Sequence, residues 1–302
     1  MEISDVKSST LKISNQKLDK FNSLDNLTVF GDWINNIEDL NLSFRTAKPF
    51  PHLVIDNFLE TSYATKISDV FPTDYKKWYH YNNPLEVKYT YDKINEFEPG
   101  IQSLFYILST SQITELFSKI SGIHNLEHDP CLHGAGLHVH PRNGRLGLHL
   151  DYEKHPYLQE KERRLNIIFF LNKEWYSSWK GDNQLWNKDL SNFVSTQVKF
   201  NRALIFQTDD ISWHGLPDKI MCPENYFRKT FAYYYISPLQ STKKKNKFGN
   251  DGSGFRTKAS YISTPNKDIP PQVKRLQEIR PHRRINPQDM EEIWPEWTPE
   301  LY

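Results

Sequence analysis

Residues 142–156 read "RNGRLGLHLDYEKHP". Leu146, Leu148 and Leu150 alternate with the period of a strand that buries one face. His149 and Asp151, two apart, therefore project together from the other face. Gly147 precedes them on that face and leaves space beside the pair. Burying a carboxylate without a partner is costly, or shifts its protonation. Two arrangements remove the cost: a hydrogen bond to the imidazole or an arginine, and a metal ion shared by both side chains.

The stretch belongs to a tract with its own texture. From about 131 to 237 the chain is short β-type runs broken by Gly, Asn, Asp and Pro: "GLHVH", "RLGLHLDY", "RLNIIFFLN", "STQVKF", "RALIFQT", "SWHGL" and "RKTFAYYYIS". Such spacing predicts an antiparallel sandwich or barrel. Upstream, "KPFPHLVIDNFLE" (48–60) reads as a strand and "ETSYATKISDVFP" (60–72) as a helix stopped by Pro72. Residues 101–122 carry helical spacing up to Gly122, and "NLTVFGDWINNIEDLNL" holds a short amphipathic helix. The expected fold is mainly β with flanking helices (α+β) packed outside the barrel. Three parts follow: an N-terminal extension over 1–45, a domain over 46–240, and a C-terminal linker and tail over 241–302 packed on it. Within the last part, "STKKKNKFGNDGSG" reads as a solvated basic loop, "VKRLQEIR" as a short helix and "EEIWPEWTPELY" as an extended tail.

Bulk composition excludes several functions. The chain has 302 residues, 37% hydrophobic, and 38 Lys+Arg against 37 Asp+Glu. That balance calls for neither nucleic acid nor a membrane surface as partner. No apolar run approaches the ~20 residues of a membrane span, and the N-terminus has no signal-peptide core. Cys131 and Cys222 read as free thiols of a reducing compartment, and a cytoplasmic location follows.

Two later segments raise the metal reading of the HxD pair. "RALIFQTDDISWHGLPD" places His214 after a strand and before a glycine. "YFRKTFAYYYIS" opens a strand on which Arg228, Thr230, Ala232 and Tyr234 share a face. Two histidines and a carboxylate on a β scaffold make the facial triad of non-haem iron oxygenases. An arginine and a hydroxyl on one face suit a carboxylate, which the guanidinium grips bidentately.

At "HLD", "WHG" and "RKT" the sequence resembles the 2-oxoglutarate/Fe(II)-dependent oxygenases, in particular their prolyl 4-hydroxylase-like branch. The resemblance covers roughly 48–237, with "PFPHLVIDNFL" similar to the family's opening strand and "RRLNIIFFLN" to the strand after HxD. It implies a double-stranded β-helix (jelly-roll) core. His149, Asp151 and His214 would hold Fe(II), Arg228 would pair with the distal carboxylate of 2-oxoglutarate, and Thr230 would support it. The implied reaction consumes O2 and 2-oxoglutarate, hydroxylates an unactivated C–H bond and releases succinate and CO2, with ascorbate as a reductant. Asp151 favours hydroxylation, since related halogenases lack the carboxylate. The branch points to a prolyl residue of a protein or peptide; a small-molecule substrate stays open, as does the oligomeric state. One departure is "WKGDNQLW", where Lys180, Asp182 and Asn183 replace the family's usual Gly-Gly and Leu before "LW".

Further candidates surround this set. His138 and His140 share a face of the strand ahead of HxD, with His138 the better pocket-lining and cosubstrate-contacting candidate. Asn166, between Leu165 and Ile167, is a candidate to reach the cosubstrate or else a satisfied core amide. Arg164 reads as an ion-pair partner of an acidic neighbour. His124, His128, His133 and His155 read as surface or loop residues, and Trp175, Trp179 and Trp186 as packing more than mouth. A non-catalytic, metal-binding jelly-roll of cupin type is the alternative from another functional class.

Overall fold

The computed structural model describes residues 10–240 and 255–302. The "STKKKNKFGNDGSG" run (241–254) lies outside the described residues, and with it the basic-loop reading.

Helices come first along the chain. Helix α1 (Asn15–Asn22) and two 3-10 turns lead into α2 (Ile37–Thr46), and β1 (His52–Ile55) is followed by α3 (Thr61–Asp69). A hairpin, β2 (Tyr79–Asn83) and β3 (Glu86–Tyr91), turns at Pro84. The apolar stretch 101–122 forms two helices, α4 (Pro99–Ser109) and α5 (Ser111–Ser121), where periodicity predicts one. The break is at Thr110, whose backbone is extended while its Oγ1 donates to the Ile107 carbonyl. A Ser-Thr-Ser run offers the backbone local hydrogen bonds that compete with the helix. Gly122 then caps α5 in the left-handed region, φ 68°.

The β tract contains β4 (Glu127–His128), β5 (Gly136–His140), β6 (Arg145–Leu150), β7 (Lys161–Phe170), β8 (Asn183–Trp186), β9 (Phe193–Thr196), β10 (Ala203–Gln207), β11 (Trp213–Leu216) and β12 (Arg228–Pro238). "STQVKF" is strand only to Thr196; beyond it Val198 turns into the core and the chain reverses before Asn201. After the tract come β13 (Ser260–Tyr261), α6 (Pro271–Ile279) and α7 (Pro287–Ile293). The terminal "EEI" thus belongs to a capped helix, and the extended reading holds only beyond it. Asn286 and Asp289 form its capping box.

Strand neighbours show the architecture. One sheet runs β1-β10-β7-β12-β5, the other β6-β11-β8-β9. From β5 to β12 the chain alternates between the two sheets, apart from the β8–β9 hairpin, as in a double-stranded β-helix, and every pairing is antiparallel. Strand β3 bonds to both β5 and β6 and ties the sheets together along one side.

Two-residue periodicity sorts the first sheet. Leu137, Val139, Leu165, Ile167, Phe169, Phe231, Tyr233 and Tyr235 face α2–α5 in the main core. The opposite face looks between the sheets. There Phe170, Leu204 and Phe206 meet Leu185 in a smaller apolar cluster, and the rest of the face borders a cavity. The C-terminal segment packs through Val273, Leu276 and Ile285 on Leu85 of the hairpin and Tyr261. No helix among the described residues is long and apolar enough to cross a membrane.

Candidate active site

Strand β6 carries His149, and its antiparallel neighbour β11 carries His214 directly opposite. The ring centroids lie 4.2 Å apart. Close approach of the two strands depends on Gly215, where a Cβ would come within 2.7 Å of the Leu146 carbonyl oxygen. Asp151 follows the last residue of β6. Its Oδ2 is 3.3 Å from His214 Nε2 and its Oδ1 3.7 Å from His149 Nε2. The three ligand-type atoms lie within 4.8 Å of one another. Leu148 and Leu150 point away, into a cluster with Trp186 and Trp213.

Hydrogen bonds on the far sides of the rings define their protonation. His149 Nδ1 is 3.0 Å from the Gly147 carbonyl and His214 Nδ1 is 2.8 Å from that of Ser212. Carbonyls only accept, so each Nδ1 donates, and in the neutral ring, the form a metal takes, Nε2 carries its lone pair toward Asp151. Burial lowers His149 to a pKa of about 3, with His214 adding to the effect and Asp151 opposing it. Burial resists ionisation of Asp151, but Arg163 and His214 outweigh it and hold the carboxyl well below its usual range. Neutral imidazoles and an ionised carboxylate are the forms that bind a divalent metal, and the N,N,O donor set fits ferrous iron.

The carboxylate is held from behind. Asn166 Nδ2 donates to Asp151 Oδ2 at 2.8 Å, and Arg163 lies 3.2 Å from the same oxygen. Arg163 Nε also donates to Asn166 Oδ1 at 2.7 Å, so both ends of the Asn166 amide serve this network. The guanidinium sits 3.3 Å from the Tyr234 ring centroid. Strict alternation puts Arg164, not Arg163, on the Asn166 face. A β-bulge reverses this: Tyr235 pairs with Leu165 but Ile236 with Arg163, leaving Arg164 unpaired. Arg164 goes to Glu162 instead, at 3.0 Å.

Arg228 and Thr230 open β12, opposite His140 and His138 of β5. Arg228 is buried, donates from Nε to the Gly181 carbonyl at 2.7 Å and from a terminal nitrogen to Asn183 Oδ1. Burial lowers it to a pKa of about 9, against the pull of Asp182, and no carboxylate among the described residues forms an ion pair with it. A buried guanidinium facing a cavity without a counter-ion suits a bound carboxylate. The departing "WKGDNQLW" segment is what positions it. Gly181 has φ 87°, and a Cβ there would come within 3.2 Å of Arg228 Cδ. Thr230 Oγ1 is 3.4 Å from the His138 carbonyl.

His138 and His140 both border the cavity, each lowered by burial first and by surrounding cations second. His138 falls to about 3. His140 is the better ligand-seeking group of the two: both its ring nitrogens are buried without a hydrogen-bond partner. Phe206 packs 4.7 Å from the His214 ring. The expected space at Gly147 is filled: Tyr261 stacks on His149 at 5.1 Å and 17°, with ring carbons in contact range of any Cβ at 147. That tyrosine comes from β13, which pairs with β6. No tryptophan lines the cavity among the described residues. Trp175 and Trp179 pack edge to face, and Trp186 joins Leu148 and Leu150.

The cavity measures about 810 Å³, in the upper part of the range of small-molecule sites, about 300–1,000 Å³. Lys88, Glu86, Tyr81 and Arg280 border it too, and sequence reading passed them over. Their signal was present: in "EVKYTY" Glu86, Lys88 and Thr90 alternate onto one face of β3.

His155 lies in the loop between β6 and β7, as expected, but is not solvent-facing. It is fully buried, with Nε2 3.3 Å from Asp129 Oδ2, and Cys131 completes a cluster of three. Its Nδ1 accepts from the backbone N–H of Leu158 at 2.9 Å and of Tyr157 at 3.2 Å.

Residues 135–236 match the family model of the 2OG-Fe(II) oxygenase superfamily. No curated protein matches the chain. Similar solved structures include a prolyl hydroxylase from Trichoplax adhaerens in complex with a hypoxia inducible factor peptide fragment: 18% identity, 74% of this chain and 94% of that one, TM-score 0.49. A Pseudomonas putida prolyl-4-hydroxylase gives 10%, 68% and 100%, TM-score 0.46. The epimerase SnoN from nogalamycin biosynthesis gives 8%, 78% and 90%, TM-score 0.46.

Proposed function

Residues 135–236 being a 2OG-Fe(II) oxygenase segment, we propose that the chain is a 2-oxoglutarate-dependent dioxygenase that hydroxylates an unactivated C–H bond. Superfamily members use Fe(II), 2-oxoglutarate and O2. The observation that carries the reading is the convergence of His149, Asp151 and His214, each imidazole with its Nε2 lone pair turned inward. These three would hold the iron. Arg228 would bind the far carboxylate of 2-oxoglutarate, with Thr230 and His140 lining the same end and His138 beside them. With iron and cosubstrate bound, the site supplies an oxidant strong enough to break a C–H bond, with succinate and CO2 as coproducts.

The protein's own share is positional. Asn166 and Arg163 fix the carboxylate so that it stays ionised and oriented. Gly181 and Asn183 hold Arg228 extended toward the cavity. Phe170 and Phe206 keep that end dry, which strengthens the charge pairing inside. For the substrate we propose a prolyl residue of a protein or peptide, following the sequence resemblance; ascorbate would serve as reductant. A metal-binding jelly-roll without turnover predicts the same ion but no succinate.

Anaerobic addition of Fe(II) and 2-oxoglutarate tests the assignment. The expected result is a weak visible charge-transfer band, absent from Asp151→Ala. Folded protein with neither band nor 2-oxoglutarate affinity rejects it. Succinate release with proline-rich peptides, set against free amino acids, tests the substrate.

A further inference from the structure

The wall of the cavity built by the β2–β3 hairpin and the C-terminal segment carries charge that the oxygenase chemistry does not use. Lys88 projects from β3, which pairs with the strand of His138 and His140 on one part of its length and with the strand of His149 on another. Its ammonium is therefore set between the two halves of the site. Its side chain is 11% exposed, and its one carboxylate partner is Glu86, at 3.3 Å. That carboxylate already holds Arg280 at 2.9 Å. Two buried cations thus share one anion. Burial opposes ionisation of Glu86, yet Arg280 and Lys88 together hold it at a pKa of about 2.

A second cation stands beside the first. The guanidinium of Arg284 lies 5.6 Å from the Tyr81 ring centroid and 5.2 Å from that of Tyr79. Lys88 Nζ is 5.0 Å from the same Tyr81 ring. Tyr81 therefore anchors both cations by its face, which fixes them without neutralising them. Arg284 has no carboxylate partner among the described residues.

Across the cavity the balance points the same way. Eight lysines and arginines line it against three carboxylates, Glu86, Asp92 and Asp151. Each carboxylate is already committed: Asp92 to Lys12, Asp151 to Arg163, Glu86 to Arg280 and Lys88. A dicarboxylate at Arg228 would leave Lys88 with only its share of Glu86, and Arg284 without a carboxylate among the described residues. Excess charge of one sign in a partly enclosed cavity concentrates ligands of the other.

We propose that Lys88 and Arg284, both held against the Tyr81 ring, form a binding site for an anionic group, carboxylate or phosphate, of the substrate. This deepens the oxygenase reading by naming a group the substrate carries, and it rests on that reading only for the word substrate. The anion docks on the ammonium and guanidinium through charge-assisted hydrogen bonds, with the Tyr79 and Tyr81 rings covering the adjoining apolar part. Selection follows from the pairing: a neutral analogue leaves the buried Lys88 charge with half a partner.

The test is calorimetric titration of the full chain loaded with Mn(II) and saturating 2-oxoglutarate. The probes are inorganic phosphate, a short peptide with glutamates flanking a proline, and its glutamine counterpart. The expected result is that phosphate or the glutamate peptide binds at least tenfold more tightly than the glutamine peptide. Lys88→Met and Arg284→Gln should each erase most of that preference while leaving 2-oxoglutarate affinity within twofold. Phosphate binding alone identifies the group as phosphate; preference for the glutamate peptide identifies it as carboxylate. Equal binding of both peptides with no phosphate binding overturns the proposal. So does anion binding that 2-oxoglutarate displaces and the two substitutions leave intact, since the anion then sits at Arg228. Arg284 is exposed, so its variant keeps the test decisive if Lys88→Met fails to fold. Loss of 2-oxoglutarate binding in the unsubstituted chain would count against the oxygenase assignment, while phosphate titration of the same protein still reads the anion site.

Discussion

Among the described residues, two buried clusters contain a histidine and an aspartate in contact, and they differ in what they could offer a metal. His149, Asp151 and His214 border the cavity; Asp129 and Cys131 belong to the loop that follows β4, and His155 of the β6–β7 loop packs against them. Each place joins two residues of metal-ligating type, two apart in sequence, to a distant histidine. What separates them is the hydrogen bond on the other ring nitrogen. At His149 and His214, Nδ1 faces a carbonyl and must donate, so Nε2 is a free donor atom for a metal. At His155, Nδ1 faces two N–H groups and must accept. Its proton therefore sits on Nε2 and is given to Asp129, which also accepts from the backbone of Cys131 and His133. Burial raises Cys131 to a pKa of about 12, so its thiol stays protonated. The second cluster is a hydrogen-bonded brace in which the imidazole has no lone pair left over. Proximity alone does not make a metal site; the second partner of each imidazole decides.

This contrast can be broken most forcefully at Asp151. Asp151→Ala should abolish measurable Fe(II) binding and all succinate formation, whereas Asp129→Ala should leave one Fe(II) per chain by metal analysis. Loss of iron from the Asp129 variant would erase the distinction. Next in size, Arg228→Ala removes one charge-assisted pair worth ~1.5–3 kcal/mol, so the Kd for 2-oxoglutarate should rise roughly 10- to 100-fold. Iron affinity, read separately by titration, should barely move; equal loss of both would contradict the assignment.

Asn166→Ala sharpens the comparison more gently. It leaves all three ligands and removes the amide that orients Asp151, so metal affinity should fall roughly tenfold. An unchanged affinity would mean that Arg163 suffices. The smallest effect on the metal belongs to Asp129→Asn, which should leave iron stoichiometry intact and destabilise the fold by about 1–3 kcal/mol. Its pH dependence has a defined sign. Burial resists ionisation of Asp129, but the His155 hydrogen bond and the two backbone donors prevail and lower its pKa. A lowered folded pKa means stability that is present above the unfolded value of about 3.9 and lost as pH falls below it. Urea midpoints should therefore drop less steeply below about pH 4 in the variant than in the parent. Parallel curves would show that Asp129 carries no such linkage.

Period-two reading located the strands that border the cavity because their faces are sharply divided. His138/His140, His149/Asp151 and Arg228/Thr230/Ala232/Tyr234 all fall on the cavity side that alternation assigns. It failed where the backbone leaves that period. Arg163 reaches Asp151 only through a bulge, which shifts every assignment on its far side. The loop position of His155 was legible but its burial was not, because a histidine before a proline carries no periodicity and its partner is Asp129, 26 residues earlier. Tyr261 was invisible for the same reason, since β13 is two residues long and joins β6 from the far end of the chain. The break at Thr110 is local chemistry overriding apolar spacing. Lys88 and Glu86 were readable on β3, and their meaning emerges only when β3 is seen between β5 and β6.

A crystal structure of the full chain grown anaerobically with Mn(II) and 2-oxoglutarate tests the central claim most directly. The account predicts one ion, bound by Nε2 of His149, Nε2 of His214 and an oxygen of Asp151, with the distal carboxylate of 2-oxoglutarate on Arg228. An ion seated between Asp129 and His155, or a cosubstrate that leaves Arg228 untouched, would contradict it.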